Sequence, residues 1–180
     1  MNGAQTLVHT LADSGVEICF GNPGTSEMHV VAALDHEPKM RGVLCLFEGV
    51  AAGAASGYAR MSGKPAACLL HLGPGFANAI SFLHNARKAG QPVVNLVGDH
   101  ATSHAQYAQA PLSSDIMAIT GSVSDWLYQC QSAGRAPKEG RSHRHPPACP
   151  VRVRGPYISD ATVGGSIGIT DSRAAIYDGE

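Results

Sequence analysis

Gly42-Val-Leu-Cys-Leu-Phe47, then Glu48, then Gly49-Val-Ala-Ala-Gly-Ala-Ala-Ser-Gly-Tyr-Ala59: an apolar run meets a helix of small residues at a single carboxylate. The run has the length and branching of a buried strand. Glu48 then falls at a strand's carboxyl end, where open α/β sheets bind ligands. It also falls at the N-terminus of the next helix, whose dipole favours an ionised acid. The small residues that follow let another backbone, a ligand or a partner helix approach closely. A glutamate in a first helical turn is common for the dipole reason alone, so the weight given to Glu48 depends on its neighbours.

Two further strand-to-helix junctions supply them. In Cys19-Phe-Gly-Asn-Pro-Gly-Thr-Ser-Glu27, residues 16–20 read as strand and Asn22-Pro23-Gly24 as a turn, since proline fixes φ and glycine admits positive φ. Thr25 or Ser26 then caps a helix over Glu27–Leu34. In Ala67-Cys-Leu-Leu-His-Leu-Gly-Pro-Gly-Phe-Ala-Asn78, a third strand leads through a glycine turn into a helix reaching about Lys88. His71 lies near the strand end, where a proton-transfer group belongs; a hydrogen-bonded packing histidine would sit there equally well. Gly73-x-Gly75-x-x-Asn78 is a near miss to the dinucleotide fingerprint, with Asp99 where a ribose-binding acid would fall. Asn78 in place of the third glycine argues against it.

The order reads helix 3–14, strand 16–20, helix 26–35, strand 42–47, helix 49–61, strand 66–71, helix 75–89 and strand 92–97. A short helix near 114–119 and a strand near 124–129 follow. This alternation predicts an α/β fold: a doubly wound, mainly parallel sheet with helices on both faces. One domain and one core suit 180 residues. The net charge of −1 implies no nucleic-acid partner. No apolar run approaches membrane-spanning length and no signal segment opens the chain, so a cytoplasmic location is expected. Cysteines 19, 45, 68, 130 and 149 lack paired metal spacing, and three lie in strands expected to be buried, so reduced structural thiols are predicted. His100 and His104 beside Asp99 have helical spacing but no third ligand, and no metal site is assigned.

From about Gly134 the character changes. Residues 134–180 hold six of nine arginines and five of eleven prolines, and Arg141-Ser-His-Arg-His-Pro-Pro147 has neither helical nor strand period. Only Pro150-Val-Arg-Val-Arg154 suggests a closing strand. The division is therefore a domain over 1–133 and an irregular tail over 134–180, read as a shifted reading frame or as disorder.

Gly21-Asn-Pro-Gly-Thr-Ser-Glu27, Phe47-Glu-Gly, Gly57-Tyr-Ala-Arg60 and Leu70-His-Leu-Gly-Pro-Gly75 together resemble the N-terminal pyrimidine-binding domain of thiamine-diphosphate enzymes. Acetolactate synthase large-subunit-like proteins and benzoylformate decarboxylase are the nearest in pattern. The resemblance runs from residue 1 to about Ser132, and departs at Ser56, where many relatives carry aspartate.

The resemblance implies thiamine diphosphate as cofactor and a 2-oxo acid as substrate. In that family the glutamate matching Glu48 bonds a ring nitrogen of the aminopyrimidine, shifting its amino group toward the imino form that deprotonates the thiazolium carbon. His71 matches a histidine that faces substrate in the benzoylformate decarboxylase branch. Pro23, Gly24 and Thr25 match the loop lining cofactor and substrate, and Asn78 is a further cofactor-binding candidate. Relatives hold the diphosphate through Mg²⁺ on a Gly-Asp-Gly…Asn segment of another domain, which these 180 residues do not contain. FAD use is left open. The expectation is half a site, inactive alone, completed in a homodimer or tetramer of the longer protein. The alternatives are a short subunit of a two-chain 2-oxo-acid decarboxylase, completed by a diphosphate-binding chain, and a non-catalytic nucleotide-binding-like domain.

Overall fold

The computed structural model describes residues 2–100 and 112–129 and the backbone of the strand segments 158–160, 163–165 and 167–171; for 128–129 too only the backbone is described. Helix α1 (Gly3–Asp13) opens on a reciprocal cap: Asn2 Oδ1 accepts from the Gln5 N–H, and the Gln5 side chain accepts from the Asn2 N–H, each at 2.9 Å. Its Ala4, Leu7, Val8 and Leu11 recur at helical spacing and are all buried. There follow β1 (Ile18–Asn22), a 3-10 turn (Thr25–Glu27), α2 (Met28–Asp35), β2 (Arg41–Leu44), α3 (Glu48–Ser62), β3 (Ala66–Leu70), α4 (Leu72–Lys88), β4 (Val93–Gly98), α5 (Ile116–Thr120) and β5 (Trp126–Gln129).

The six-stranded sheet runs β2-β1-β3-β4-β8-β5, with β8 (Ile167–Asp171) inserted antiparallel between β4 and β5. The first four strands pair in parallel, with Cys19 opposite Gly42 and Ala67, and Leu69 opposite Leu96. Strands β3 and β4 are buried throughout, as expected of parallel strands covered on both faces. Alternate residues feed two cores. On one face Cys19, Ala67, Leu69, Val94 and Leu96 meet α1 and α2; on the other Cys68, Leu70, Val93 and Val97 meet α3 and α4. The doubly wound, mainly parallel reading holds.

Within the segment read as an irregular tail, the described backbone forms β8 and a hairpin of β6 (Ile158–Asp160) and β7 (Val163–Gly165). The strand suggested at 150–154 lies outside the described residues, as do His104, Cys130 and Cys149. Cys19, Cys45 and Cys68 are free and buried.

Three sequence readings need correction. The apolar run 42–47 is not a buried strand. β2 ends at Leu44 and occupies the sheet edge with one neighbour, so Leu44 and Leu46 stand 70% and 89% exposed. Helix α4 begins at Leu72 rather than at 75, because proline is tolerated in a first turn whose N–H groups lack helical acceptors. The small-residue surface of α3 is mostly covered from within. Ala51, Ala52, Ala55 and Ala59 are buried, and a Cβ on Gly53 would lie 3.2 Å from the Phe82 ring of α4.

Phe76, on α4, is fully buried in the second core, whereas Met61 on α3 is largely exposed. Phe76→Ala should cost about 3–5 kcal/mol, and Met61→Ala less than about 0.5 kcal/mol, in urea denaturation of the 180-residue chain. Similar losses in both would contradict this placement of the core.

Candidate active site

The chain leaves β1 outward to the edge strand β2 and then returns past β1 to β3, so the order reverses between β1 and β3. In open α/β sheets such a reversal marks the place where a crevice opens at the carboxyl ends of the strands. Gly24 comes from the loop after β1, and His71 directly follows β3. They meet so closely that a Cβ on residue 24 would overlap the imidazole at Cε1, Nδ1 and Cγ. Glycine is required there for lack of space. Next along the chain, Leu72 has φ 52°, in the left-handed region that costs a branched residue about 1–2 kcal/mol. That strain sits beside His71, at a candidate functional position, the usual place for it.

Glu27 reaches into the same crevice. Its Oε2 lies 2.8 Å from His71 Nδ1 and accepts the Gly24 N–H at 2.7 Å. The side chain is fully buried, and Oε1 has no partner among the described residues. It lies against Gly98 at the end of β4, where any Cβ would overlap it. Burial pushes the Glu27 carboxyl above its ordinary value, and the hydrogen bonds from His71 and Gly24 only partly offset that.

The second carboxylate belongs to Glu48, the first residue of α3, also buried. The Asn78 amide donates to its Oε2 at 3.0 Å. Oε1 takes no hydrogen bond among the described residues and faces Gly75, where a Cβ would stand 3.0 Å from it. Gly75 and Asn78 lie on the first turns of α4, which His71 caps, and the Gly75 N–H donates to the His71 carbonyl at 2.8 Å. The start of α4 thus brings both carboxylates to one crevice, Glu27 through His71 and Glu48 through Gly75 and Asn78.

Of the residues singled out in the sequence, the structure joins Glu48 to Asn78 and Gly24 to His71. Pro23 is half-buried in the same loop, and Thr25 is exposed without a side-chain hydrogen bond among the described residues. Neither Thr25 nor Ser26 caps a helix; the Glu27 carboxylate takes the loop N–H instead. Glu27 was read only as a helix start. The signal was present, since Gly24-Thr-Ser-Glu27 has the spacing of a capping box. Among the described residues no three His, Cys, Asp or Glu side chains could hold a metal ion, and no helix is long and apolar enough to cross a membrane.

Residues 1–120 match the family model described as thiamine pyrophosphate enzyme, N-terminal TPP binding domain. The chain is 63% identical over 133 residues to a Mycobacterium tuberculosis protein provisionally named acetolactate synthase large subunit IlvX, covering 74% of this chain and 26% of that protein. It is 44% identical over 98 residues to the acetolactate synthase isozyme 2 large subunit of Escherichia coli, covering 54% of this chain and 18% of that subunit. An X-ray structure from Mycobacterium smegmatis, of a protein provisionally described as a thiamin diphosphate-dependent enzyme, aligns with TM-score 0.58 at 28% identity, covering 64% of this chain and 22% of that one. The chain thus spans about a quarter of the length of these relatives or less.

The buried Glu27 gives the fold a pH signature. Its folded form holds a proton more tightly than the unfolded chain does, so its contribution is most favourable below the ordinary glutamate value of 4.5. It weakens as pH rises from there to the raised value and is constant above it. Denaturation midpoints of the wild type and Glu27→Gln, measured from pH 4 upward, should therefore diverge, the wild type losing stability relative to the variant across that window. Parallel profiles would contradict the burial of an ionisable carboxyl here.

Proposed function

Since this chain belongs to the thiamine pyrophosphate enzyme family through its N-terminal TPP binding domain, we propose that it supplies the aminopyrimidine side of the cofactor site. The enzyme would be an acetolactate-synthase-like decarboxylase or carboligase of 2-oxo acids. The observation that carries this reading is the split environment of Glu48. Asn78 holds Oε2, while Oε1 stands unbonded above a glycine that leaves room beside it. A carboxylate so placed fits a flat, nitrogen-bearing ring lying over Gly75, and a side chain at residue 75 would occupy that space.

When bound, thiamine diphosphate supplies an electron sink for breaking or making a carbon–carbon bond next to a carbonyl. Glu48 would bond a ring nitrogen of the aminopyrimidine and share a proton with it, its carboxylate oriented by Asn78. Burial keeps competing water from that proton. Pro23, Gly24 and Thr25 line the crevice, and His71 faces substrate and moves protons there. The cofactor-binding unit is assigned to residues 1–133, with 134–180 outside the site. The diphosphate and its Mg²⁺ would be held by a segment of the longer protein or by another chain. FAD has no assigned place in this unit. Leu44, Leu46, Phe47 and Val50, exposed around Glu48, suit an apolar partner surface that closes the crevice, in a homo-oligomer or with a complementary diphosphate-binding chain.

In the full-length or complemented enzyme, Glu48→Gln should keep the fold yet slow hydrogen–deuterium exchange at the cofactor's thiazolium carbon by roughly 10²–10⁴-fold. Near-normal exchange would refute the role of Glu48. His71→Ala should impair 2-oxo-acid turnover more than cofactor binding; equal losses of thermal stability and activity would make His71 a packing residue.

A further inference from the structure

Glu27 is buried at a cost that its own helix does not explain. A carboxylate withdrawn from water needs partners for both oxygens, yet Oε1 has none among the described residues. Both hydrogen bonds converge on Oε2, from the Gly24 N–H and from His71 Nδ1. The hydroxyl oxygen of a carboxylic acid is a poor acceptor. An oxygen that already takes a backbone N–H therefore acts as acceptor toward the imidazole too. It follows that the hydrogen between Glu27 and His71 is carried by Nδ1.

The surroundings hold the ring in that pose. The absent Cβ of Gly24 leaves the slot filled by the ring's Nδ1–Cε1 edge, and the absent Cβ of Gly98 leaves the slot filled by Oε1. The left-handed backbone at Leu72 sets the direction in which the chain leaves His71. The other ring nitrogen, Nε2, takes no hydrogen bond among the described residues, and the His71 side chain remains 26% exposed. The loops after β1 and β3 and the last residue of β4 thus converge on the orientation of one imidazole.

We propose that Glu27 is a positioning residue: its carboxylate fixes His71 in the Nδ1–H tautomer, leaving Nε2 as the nitrogen presented to a substrate in the crevice. An imidazole held this way offers a lone pair at Nε2 and accepts a proton there first, while Glu27 stabilises the cation that results. Glu27 itself touches no substrate. The inference rests on the reading of His71 as the substrate-facing group, and it assigns the tautomer and the partner that this role requires.

The test is the nitrogen spectrum of ¹⁵N-histidine-labelled 180-residue chain at alkaline pH, with the His71 signals assigned by their loss in His71→Phe. The wild type should show a protonated Nδ1 and a bare Nε2 at His71. In Glu27→Leu the ring should lose the Nδ1–H signature and shift toward the Nε2–H form that free imidazole favours in water. Glu27→Gln, whose amide oxygen still accepts, should restore Nδ1–H, a rescue that restored packing alone would not produce. A wild-type His71 found mainly as Nε2–H overturns the proposal, as does a folded Glu27→Leu that keeps Nδ1–H. Should Glu27→Leu fail to fold, the wild-type and Glu27→Gln spectra still decide, since Nε2–H in either contradicts it. Exchange at the thiazolium carbon in Glu48→Gln is blind to the His71 tautomer, so this proposal and the proposed cofactor role fail separately.

Discussion

The carboxylate of Glu27, dry and enclosed at the carboxyl edge of the sheet, is the constraint around which the crevice is arranged. It draws the loop after β1 inward through the Gly24 N–H, holds His71, the residue that follows β3, and requires glycine at the end of β4. In a low-dielectric pocket each of these contacts is stronger than at the surface, and each omission is more costly. Residues 24, 71 and 98 are distant in sequence, yet none can change size without moving the others.

Glu48 shows the opposite use of a buried acid. Glu27 has both bonds directed inward and an oxygen sealed against glycine; Glu48 has one oxygen held by Asn78 and the other left open over Gly75. The first arrangement suits a fixed support and the second a group that awaits a partner. Both depend on the same short stretch, Leu72-Gly-Pro-Gly75, which turns the chain sharply out of β3, starts α4 without side-chain bulk, and tolerates proline where no helical N–H is needed. Two carboxylates of one crevice thereby acquire different chemistry from backbone geometry alone.

The edge of the sheet carries a second asymmetry. Strands β3 and β4 are sealed on both faces, but β2 has a neighbour on one side only, and Leu44 at its end and Leu46 just beyond it are exposed to solvent. Bare apolar edges are normally blunted by charge or covered. Here they adjoin Phe47 and Val50, the residues flanking the open carboxylate, so exposed apolar area and unbonded acid occur together.

Local chemistry alone determined much of this protein. The alternation of apolar runs with helical segments, each junction marked by glycine, proline or a small polar residue, specified a doubly wound parallel sheet. It also placed Glu48, His71 and Gly24 at strand ends, because period and turn chemistry act over a few residues. What the sequence could not settle was which strand would be the edge, so Gly42–Phe47 read as buried when four of its six residues are exposed; a strand's neighbours are set by the whole sheet order. Nor could it show that Glu27 turns back to His71 rather than outward, since that pairing spans 44 residues of chain and exists only once β1 and β3 lie side by side. The tertiary structure decided these points because burial and hydrogen-bond partnership belong to the assembled layers, whereas strand and turn propensity belong to the chain itself.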